Sequence, residues 1–248
     1  MSFALEPLAL PFLIFIAALL YSSVGHGGAS GYLAAMALLS VAPEKMKPTA
    51  LFLNILVSSI ALARFGQVGA FHWRTFWPFA IASIPLAFLG GLIALQGAVY
   101  KWLVGTALLF AAVQMFRSSA GSSKNGVKPP SLPLALLGGG GIGFLSGLTG
   151  VGGGIFLSPL LILAGWADPR HTAGVSAAFI LVNSISGLSG HLASGEQVPA
   201  DIWILAVTAI AGGYIGSGVG SRHFSNTRLR RVLGAVLVAA GLKFIFSA

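Results

Sequence analysis

The sequence predicts an all-α polytopic membrane protein with two inverted repeats, each made of a re-entrant or broken-helix hairpin and three transmembrane helices. Of the 248 residues, 56% are hydrophobic and only 8% are charged, whereas a soluble domain carries about a quarter charged residues. Apolar stretches recur from end to end, and glycine-rich strings interrupt two of them at matching places. Residues 1–248 are therefore expected to form a single membrane transport domain, with no separate soluble domain.

Apolar runs between polar residues predict about 8 to 10 membrane segments. The second and seventh runs fall short of the ~20 helical residues that cross a ~30 Å hydrocarbon core, and each follows a glycine cluster. Short length favours re-entrant hairpins here, although full crossing of both arms leaves the charged loops on the same sides. The ten runs are Leu8 to Val24, Ala29 to Val41, Pro48 to Ala63, Phe76 to Leu95, Val99 to Phe116, Leu132 to Leu148, Ile155 to Ala164, Thr172 to Leu192, Ile202 to Gly218 and Leu229 to Phe246.

A polar stretch rich in Ser, Gly and Pro at residues 118–130 predicts a linker between repeat 1 (about 8–117) and repeat 2 (about 131–247). The two halves share several features in the same order, which indicates a weak internal repeat. Gly25-His26-Gly27-Gly28 matches Gly150-Val151-Gly152-Gly153, a loop with Pro43, Glu44 and Lys45 matches Asp168, Pro169 and Arg170, Asn54 matches Asn183, and Gly91 and Gly105 match Gly220 and Gly234.

The formal charge of +9 comes from basic residues spread over short loops, which disfavours a nucleic-acid partner and is typical of the positive-inside rule. That rule places the linker 118–130 and the Arg222 to Arg231 loop in the cytoplasm and both termini outside, so that the halves are inverted. Lys45 and Lys47 then fall in an outer loop, which is one disagreement with the rule. The expected location is the bacterial cytoplasmic membrane. Without cysteine, neither disulfides nor thiol chemistry is expected.

The glycine strings predict a site inside the bilayer. Backbone that leaves helical geometry in hydrocarbon exposes N–H and C=O groups at several kcal/mol each, so it is tolerated only inside protein or beside a watery cavity. In inverted-repeat transporters, broken helices meet near the midplane and point their N-terminal dipoles at anionic groups. Close helix packing is the alternative role for such glycines. The predicted substrate-binding glycines are Gly25, Gly27, Gly28, Gly150, Gly152, Gly153 and Gly154.

The sign of the ligand follows from the acidic residues, all of which fall in predicted loops or ends. No carboxylate is then available at mid-depth for a cation or a proton, so a small anion or a neutral solute is favoured. Asn and Ser side chains could complete such a site, although each asparagine could equally join two helices by a hydrogen bond. The acidic residues are Glu6, Glu44, Asp168, Glu196 and Asp201, and the candidate ligand groups are Asn54, Ser58, Asn183 and Ser184.

His26 lies within the first glycine turn, where an imidazole could contact an anion or take a coupling proton. It could also simply donate to a backbone carbonyl, since Val151 fills the matching place. His191 is expected at the membrane interface. The remaining aromatic and basic residues fit an interfacial belt against membrane lipid: His72, Trp73, Trp77, Trp102, Trp166 and Trp203.

The motif GLTGVGGGIFLSPLLILAG, followed by ADPRHTAGVSAAFILVNSISG, resembles the second-half signature of the sulfite exporter TauE/SafE family, also called the 4-toluenesulfonate uptake permease family. SSVGHGGASGYL resembles the first-half signature. The resemblance covers almost the whole chain and implies transport of small sulfur-containing or organic anions such as sulfite or sulfonates, in some members with proton coupling. By carry-over, it also implies site residues around Gly25 to Gly28, Gly150 to Gly154, Asn54 and Asn183.

Three other functions fit parts of the pattern. A passive anion channel would use the same site without a rocking element. An intramembrane serine protease would use the G-x-S-G strings at Ser30 or Ser189 with a histidine base. A membrane scaffold would need the glycines only for packing. The sequence therefore favours a transporter, with no catalytic residue, metal or cofactor expected and the oligomeric state left open.

Overall fold

The computed structural model describes residues 6–95, 97–117, 130–222 and 227–246. In these ranges the chain folds into ten helices without a strand, so the all-α fold class is confirmed. The helices are α1 (Glu6–Ser22), α2 (Ala29–Leu38), α3 (Pro43–Gln67), α4 (Trp73–Leu92), α5 (Gly97–Arg117), α6 (Leu132–Thr149), α7 (Gly154–Leu163), α8 (Pro169–Ala193), α9 (Ile202–Arg222) and α10 (Thr227–Phe246).

Six of the described helices, α3, α4, α5, α6, α8 and α9, are long and apolar enough to cross a membrane. By contrast, α2 and α7 have 10 residues each, which corresponds to about 15 Å of helix and half of a hydrocarbon core. The chain is thus a multi-pass membrane protein with two short arms. Whether the arms re-enter or cross stays a prediction.

The structure corrects the predicted start of α3. Pro43, Glu44 and Lys45 were expected in a loop but form the first turn of the helix, with Pro43 at its N-terminus. Proline suits this position because its missing N–H has no partner in a first helical turn, and an acidic residue there complements the helix dipole. In α8, Pro169 follows the N-cap residue Asp168 in the same way. Lys47 therefore lies inside a helix and not in an outer loop.

The order of helices repeats along the chain. The first five helices have 17, 10, 25, 20 and 21 residues, and the next five have 18, 10, 25, 21 and 20. The two 25-residue helices, α3 and α8, pack against each other; α4 packs against α6 and α8, and α9 packs against α1 and α3. Except for Pro130, the predicted linker 118–130 lies outside the described residues, and the inverted orientation stays a prediction.

Glycine stripes bring the outer helices close to their partners. On α6, a Cβ at Gly139, Gly143 or Gly147 would overlap the α4 backbone. On α9, the same spacing at Gly212, Gly216 and Gly220 faces the backbone of α1 and the turn that follows it. Small residues at this spacing are typical of tightly packed membrane helices. Packing therefore explains these stripes, but the glycines of the two turns are in a different setting.

The outer surface is apolar along the helices. Exposed side chains include Leu137, Ile204 and Val207, and the exposed tryptophans Trp73, Trp102 and Trp203 belong to the predicted interfacial belt. Apolar residues that face outward in such numbers fit a lipid environment. By contrast, α8 is 78% buried within its most apolar stretch. The functional site is thus to be sought around α3 and α8.

Candidate functional site

Two glycine turns interrupt the fold next to α3 and α8. The first turn, residues 23–28, joins α1 to α2, and the second turn, residues 150–153, joins α6 to α7. Gly28 and Gly153 are the N-cap residues of the short arms, with φ values of 106° and 80°. Only glycine adopts this left-handed region readily, so both breaks depend on it. Both short helices consequently begin inside the protein with their N-terminal N–H groups turned toward buried space.

The two turns meet at the side chain of Asn54, which is fully buried on α3. A Cβ on Gly27 of the first turn would lie 2.5 Å from Asn54 Oδ1. A Cβ on Gly152 of the second turn would overlap Asn54 Nδ2, and Ile180 of α8 borders both glycines. The structure thus brings the two predicted turns together around one amide side chain.

Of the two polar groups in the Asn54 side chain, only one has a hydrogen-bond partner among the described residues. Its Oδ1 atom accepts a hydrogen bond of 3.0 Å from the N–H of Ala29, the first residue of α2. Its Nδ2 group, which faces Gly152, has no hydrogen-bond partner among the described residues. A buried amide with idle donors is uncommon, because an unmade hydrogen bond costs about 1 to 3 kcal/mol. The side chain therefore stabilises the first turn and offers N–H groups to the second.

The second turn has unsatisfied backbone donors of its own. Within the described ranges, no acceptor pairs with the N–H groups of Gly152, Gly153, Gly154 and Ile155, whereas the next two amides of α7 bond to the carbonyl of Gly153. Such amides carry the positive end of the helix dipole and form a ready site for an anion. The donors of Asn54 and α7 thus lie at the same buried place.

The serines at this place differ in their bonding. Ser184 and Ser58 occupy equivalent positions of α8 and α3, counted from the proline that begins each helix. Ser184 Oγ is buried without a partner among the described residues, and it would lie 3.3 Å from a Cβ on Gly152. Ser58 Oγ instead donates to the carbonyl of Asn54. Of these two serines, only Ser184 has a hydroxyl available to a ligand at the second turn.

Asn183 does not occupy the place equivalent to Asn54. When α3 and α8 are aligned on Pro43 and Pro169, the residue that matches Asn54 is Ile180, and Asn183 lies three residues further on. That offset moves the side chain about 4.5 Å along the helix and about 60° around it. Asn183 is buried and donates to the carbonyl of Phe179, and its Oδ1 atom has no partner among the described residues. The predicted role of Asn183 in binding stays a prediction. The residue of α8 that lies beside Gly27 and Gly152 is Ile180.

His26 links the first turn to α7 and α8. Its Nδ1 atom is 3.1 Å from the carbonyl of Val24, and its Nε2 atom is 3.0 Å from Ser158 Oγ. Ser158 Oγ is in turn 2.8 Å from Ser176 Oγ. A carbonyl only accepts, so Nδ1 carries a proton; a neutral ring then accepts from Ser158 at Nε2, and a protonated ring donates to it. His26 is thus part of a hydrogen-bonded chain that crosses between the two turns.

The serines of the two G-x-S-G strings lie in different surroundings: Ser30 is buried in α2 and Ser189 is exposed on α8. The side-chain bonds of His26 to Ser158 and of His171 to Asp168 involve neither serine. His26 instead faces Ser158, which lies outside any G-x-S-G string. Its Nδ1 atom faces a carbonyl, whereas a serine triad places a carboxylate there.

At the end of the fold where α3 finishes and α8 begins, three groups join the loops. The rings of His72 and His171 stack with centroids 3.8 Å apart, and His171 Nδ1 is 2.5 Å from Asp168 Oδ2. Burial, followed by the nearby His171, lowers the pKa of His72. Burial alone would raise the pKa of Asp168, but hydrogen bonds from the backbone and ring of His171 outweigh it, so that this pKa is also lowered.

Two polar residues near the second turn were missed by the sequence analysis. Lys47 is 5% exposed on α3, although it was assigned to an outer loop. His191 is also 5% exposed, although it was expected at the interface. The available signal for Lys47 was Pro43, four residues before it. Because proline often begins a helix, it indicates that Lys47 belongs to the start of α3 and not to a loop.

A polytopic bundle with broken helices around a buried polar site is typical of membrane transporters. The model of the family described as sulfite exporter TauE/SafE matches residues 10–244, and the chain therefore belongs to this family. It is 42% identical to a probable membrane transporter protein of Sinorhizobium fredii, over 97% of this chain and 99% of that protein. It is 29% identical to one of Methanocaldococcus jannaschii, with 95% of each chain covered. No solved structure was found to match the chain.

Proposed function

We propose that this transporter moves a small oxyanion of the sulfite or sulfonate class across the cytoplasmic membrane by alternating access around the two glycine turns. The observation that carries this proposal is the set of unpaired donors at the second turn: the first amides of α7, Asn54 Nδ2 and Ser184 Oγ. All are buried and lack an acceptor among the described residues, and an oxyanion supplies several acceptors at once.

The charges around this place support an anion over a cation. The side chains of Glu44, Glu196 and Asp201 are exposed at helix ends or in loops, and Asp168 caps the N-terminus of α8. No carboxylate therefore reaches the turns from the described part of the chain. A cation would meet only the positive ends of two helix dipoles, whereas an anion is stabilised by both.

The buried position of the site supports alternating access. Asn54, Ser184 and the turn glycines are all enclosed in this conformation, so a solute reaches them only if one group of helices moves against another. The repeated order of helices supplies two comparable units for such a movement. In this proposal residues 1–248 form one transport domain, with 118–130 in the cytoplasm and both termini outside.

His26 is the proposed group for proton coupling. In the neutral ring Nε2 accepts from Ser158, and protonation at Nε2 would reverse the direction of that bond and of the Ser158 to Ser176 bond. Both hydroxyls can donate or accept, so the chain accommodates either state. Replacing His26 by glutamine should abolish uptake driven by a pH gradient but leave exchange of labelled for unlabelled anion intact. If the wild-type protein and His26→Gln showed equal gradient-driven uptake, His26 would have no role in proton coupling.

The binding proposal is tested with purified protein by thermal unfolding in the presence of sulfite, methanesulfonate, acetate and the neutral dimethyl sulfone. A ligand that binds only the folded state raises the unfolding temperature, and we expect stabilisation by sulfite or methanesulfonate but not by dimethyl sulfone. Equal unfolding temperatures in all four solutions would contradict the proposal. Counterflow in proteoliposomes then separates the carrier from a passive channel, since only a carrier exchanges faster when anion is present on both sides.

A further inference from the structure

Lys47 is a buried cation next to the second glycine turn. Its Nζ atom donates to the carbonyls of Gly91 at 2.8 Å and Ile93 at 3.0 Å, at the C-terminus of α4. A third carbonyl, of Gly90, lies at 3.4 Å, close to the limit of a hydrogen bond. An ammonium has three N–H groups, so one of them is only weakly engaged.

The positive charge of Lys47 has no ion-pair partner in the described part of the chain. No carboxylate of the described residues lies within ion-pair distance of Nζ, although the exposed Glu196 contributes a more distant electrostatic interaction. The negative end of the α4 dipole offsets part of the charge. A buried charge without an ionic partner is otherwise costly, and it is commonly found where an ion binds.

His191 lies close to Lys47, and neither of its ring nitrogens has a hydrogen-bond partner among the described residues. The ring is buried, and the charges of Lys47 and Glu196 both act on it; the backbone of Gln197 faces it without making a hydrogen bond of normal geometry. Its neighbour Gly190 lies against the backbone of Gly91, the residue that Lys47 bonds. An imidazole always has at least one N–H, so a donor is idle beside the ammonium.

This pair is adjacent to the proposed anion site. A Cβ on Gly150 of the second turn would lie 3.1 Å from the Cα atom of Lys47 and 3.5 Å from its Cγ atom. Along α3, Lys47 precedes Asn54 by two helical turns, which is about 10.5 Å. The second turn therefore runs from Lys47 at one end to Asn54 at the other.

The equivalent positions at the opposite end of the fold are apolar. Ala173 follows Pro169 at the same spacing as Lys47 follows Pro43, and it contacts Gly25 as Lys47 contacts Gly150. Phe65 of α3 is equivalent to His191 of α8 by the same alignment of the two helices on their prolines. Phe65 and Ala173 belong to a small hydrophobic core. The side chains of Lys47 and His191 thus carry N–H groups at one end of the turns, whereas those of the equivalent residues Ala173 and Phe65 carry none at the other end.

We propose that Lys47 and His191 form a second anion-binding position, which the transported oxyanion occupies between solvent and the site at Asn54. This inference rests on the proposed function. The oxyanion takes the weakly engaged N–H of Lys47 and the idle N–H of His191, so that the charge at this end selects anions over neutral solutes. The equivalent residues Phe65 and Ala173 have no side-chain N–H group and offer no such position.

The test measures saturable methanesulfonate exchange in proteoliposomes for Lys47→Gln, Lys47→Arg, His191→Phe and the control Lys243→Gln. Glutamine keeps N–H donors for the α4 carbonyls but removes the charge, and arginine keeps both. Phenylalanine at 191 copies the equivalent Phe65. Lys243 also bonds the end of a helix, through the Leu38 carbonyl at 2.7 Å, but it is exposed.

We expect Lys47→Gln to raise KM about 10- to 100-fold with little change in the maximal rate, as for a lost hydrogen bond to a charged group. Lys47→Arg should stay within about 5-fold of wild type, His191→Phe should raise KM about 5- to 10-fold, and Lys243→Gln should leave KM unchanged. An unchanged KM in both Lys47→Gln and His191→Phe would overturn this inference, as would equal losses in Lys47→Arg and Lys47→Gln.

The same experiments distinguish failure of the proposed function from failure of the second binding position. If wild-type protein shows neither saturable exchange nor thermal stabilisation with sulfite or methanesulfonate, both proposals fall. If wild-type exchange depends on Asn54 but not on Lys47 or His191, only the second position falls. Should Lys47→Gln not fold, His191→Phe decides the question, because the fold already holds phenylalanine at the equivalent place.

Discussion

The first and second glycine turns have the same backbone break but different chemistry around it. At the first turn, Asn54 Oδ1 accepts from the first amide of α2. At the second turn, no side chain of the described residues accepts from the first amides of α7, and Asn54 presents its Nδ2 group instead of an acceptor. Asn54 thus satisfies one amide at the first turn and adds a donor at the second, while the next two amides of α2, those of Ser30 and Gly31, also have no acceptor among the described residues.

The difference shows why similar glycine strings do not imply equal roles. Glycine at Gly28 and Gly153 makes both breaks possible, but the polar groups around each break decide whether it binds anything. A helix N-terminus attracts an anion only while its amides are unpaired. Because Asn54 accepts at the first turn and presents unpaired donors to the second, we expect substitutions at the second turn to affect anion binding more than those at the first turn.

The largest effect is expected for Gly152→Ala. The new Cβ would overlap Asn54 Nδ2, and the backbone at φ 81° is strained for any L residue. Sulfite-dependent thermal stabilisation should disappear, equivalent to a loss of more than about 100-fold in affinity. The control is Gly141→Ala on α6, where nothing lies within 4 Å of the added atom. If sulfite raised the unfolding temperature of Gly152→Ala as much as that of Gly141→Ala, the proposed site would be contradicted.

Asn54→Asp separates the two functions of Asn54. Aspartate keeps an oxygen that accepts from Ala29, but it replaces the idle N–H donors with negative charge. Anion affinity should fall by about 100-fold or more, while Asn54→Leu should lose both affinity and part of the folding stability. Binding isotherms and unfolding temperatures of the two variants check this. If sulfite bound Asn54→Asp as tightly as wild type, Nδ2 would have no part in the site.

Ser184→Ala and Ser58→Ala form a matched pair at equivalent positions of α8 and α3. The Ser184 hydroxyl is unpaired among the described residues, whereas the Ser58 hydroxyl already donates within its own helix. Removing Ser184 should weaken sulfite binding by about 10-fold, and removing Ser58 should change it by less than about 3-fold. Isothermal titration of both variants measures the difference. A reversed order would place the ligand nearer the first turn.

The smallest effect concerns the stacked histidines at the end of the fold where α3 finishes and α8 begins. Because the pKa of His72 is lowered in the folded state, its contribution to stability is complete above the unfolded value of about 6.5 and is lost as pH falls from that value through the folded pKa. The unfolding temperature should therefore fall slightly from about pH 7.5 to about pH 5.5, and less so in His72→Gln. An identical pH profile in both proteins would exclude His72 as the cause.

Much of the fold could be predicted because hydrophobic length and glycine position directly limit membrane helices. The ten segments and both short arms appear where the apolar runs placed them. The start of α3 was missed because polar Glu44, Lys45 and Lys47 ended the apolar run, although a proline can begin a helix among polar residues.

The candidate site was less predictable because a match in sequence does not fix the register of a residue along its helix. Asn54 and Asn183 correspond by eye, but Asn183 lies three residues beyond the position equivalent to Asn54, and Ile180 occupies that position beside both turns. The pairing of each hydroxyl and amide also depends on neighbours distant in the chain. Burial of Lys47 and His191 likewise arises from α4, which packs against α8 far along the sequence.

The most direct measurement is an experimental structure of the protein with selenite, whose selenium scatters anomalously and whose shape is that of sulfite. The account predicts an anomalous peak within hydrogen-bond distance of the Gly153 and Gly154 amides and Asn54 Nδ2. A map without selenium between the two turns, at a concentration that stabilises the protein against heat, would contradict it.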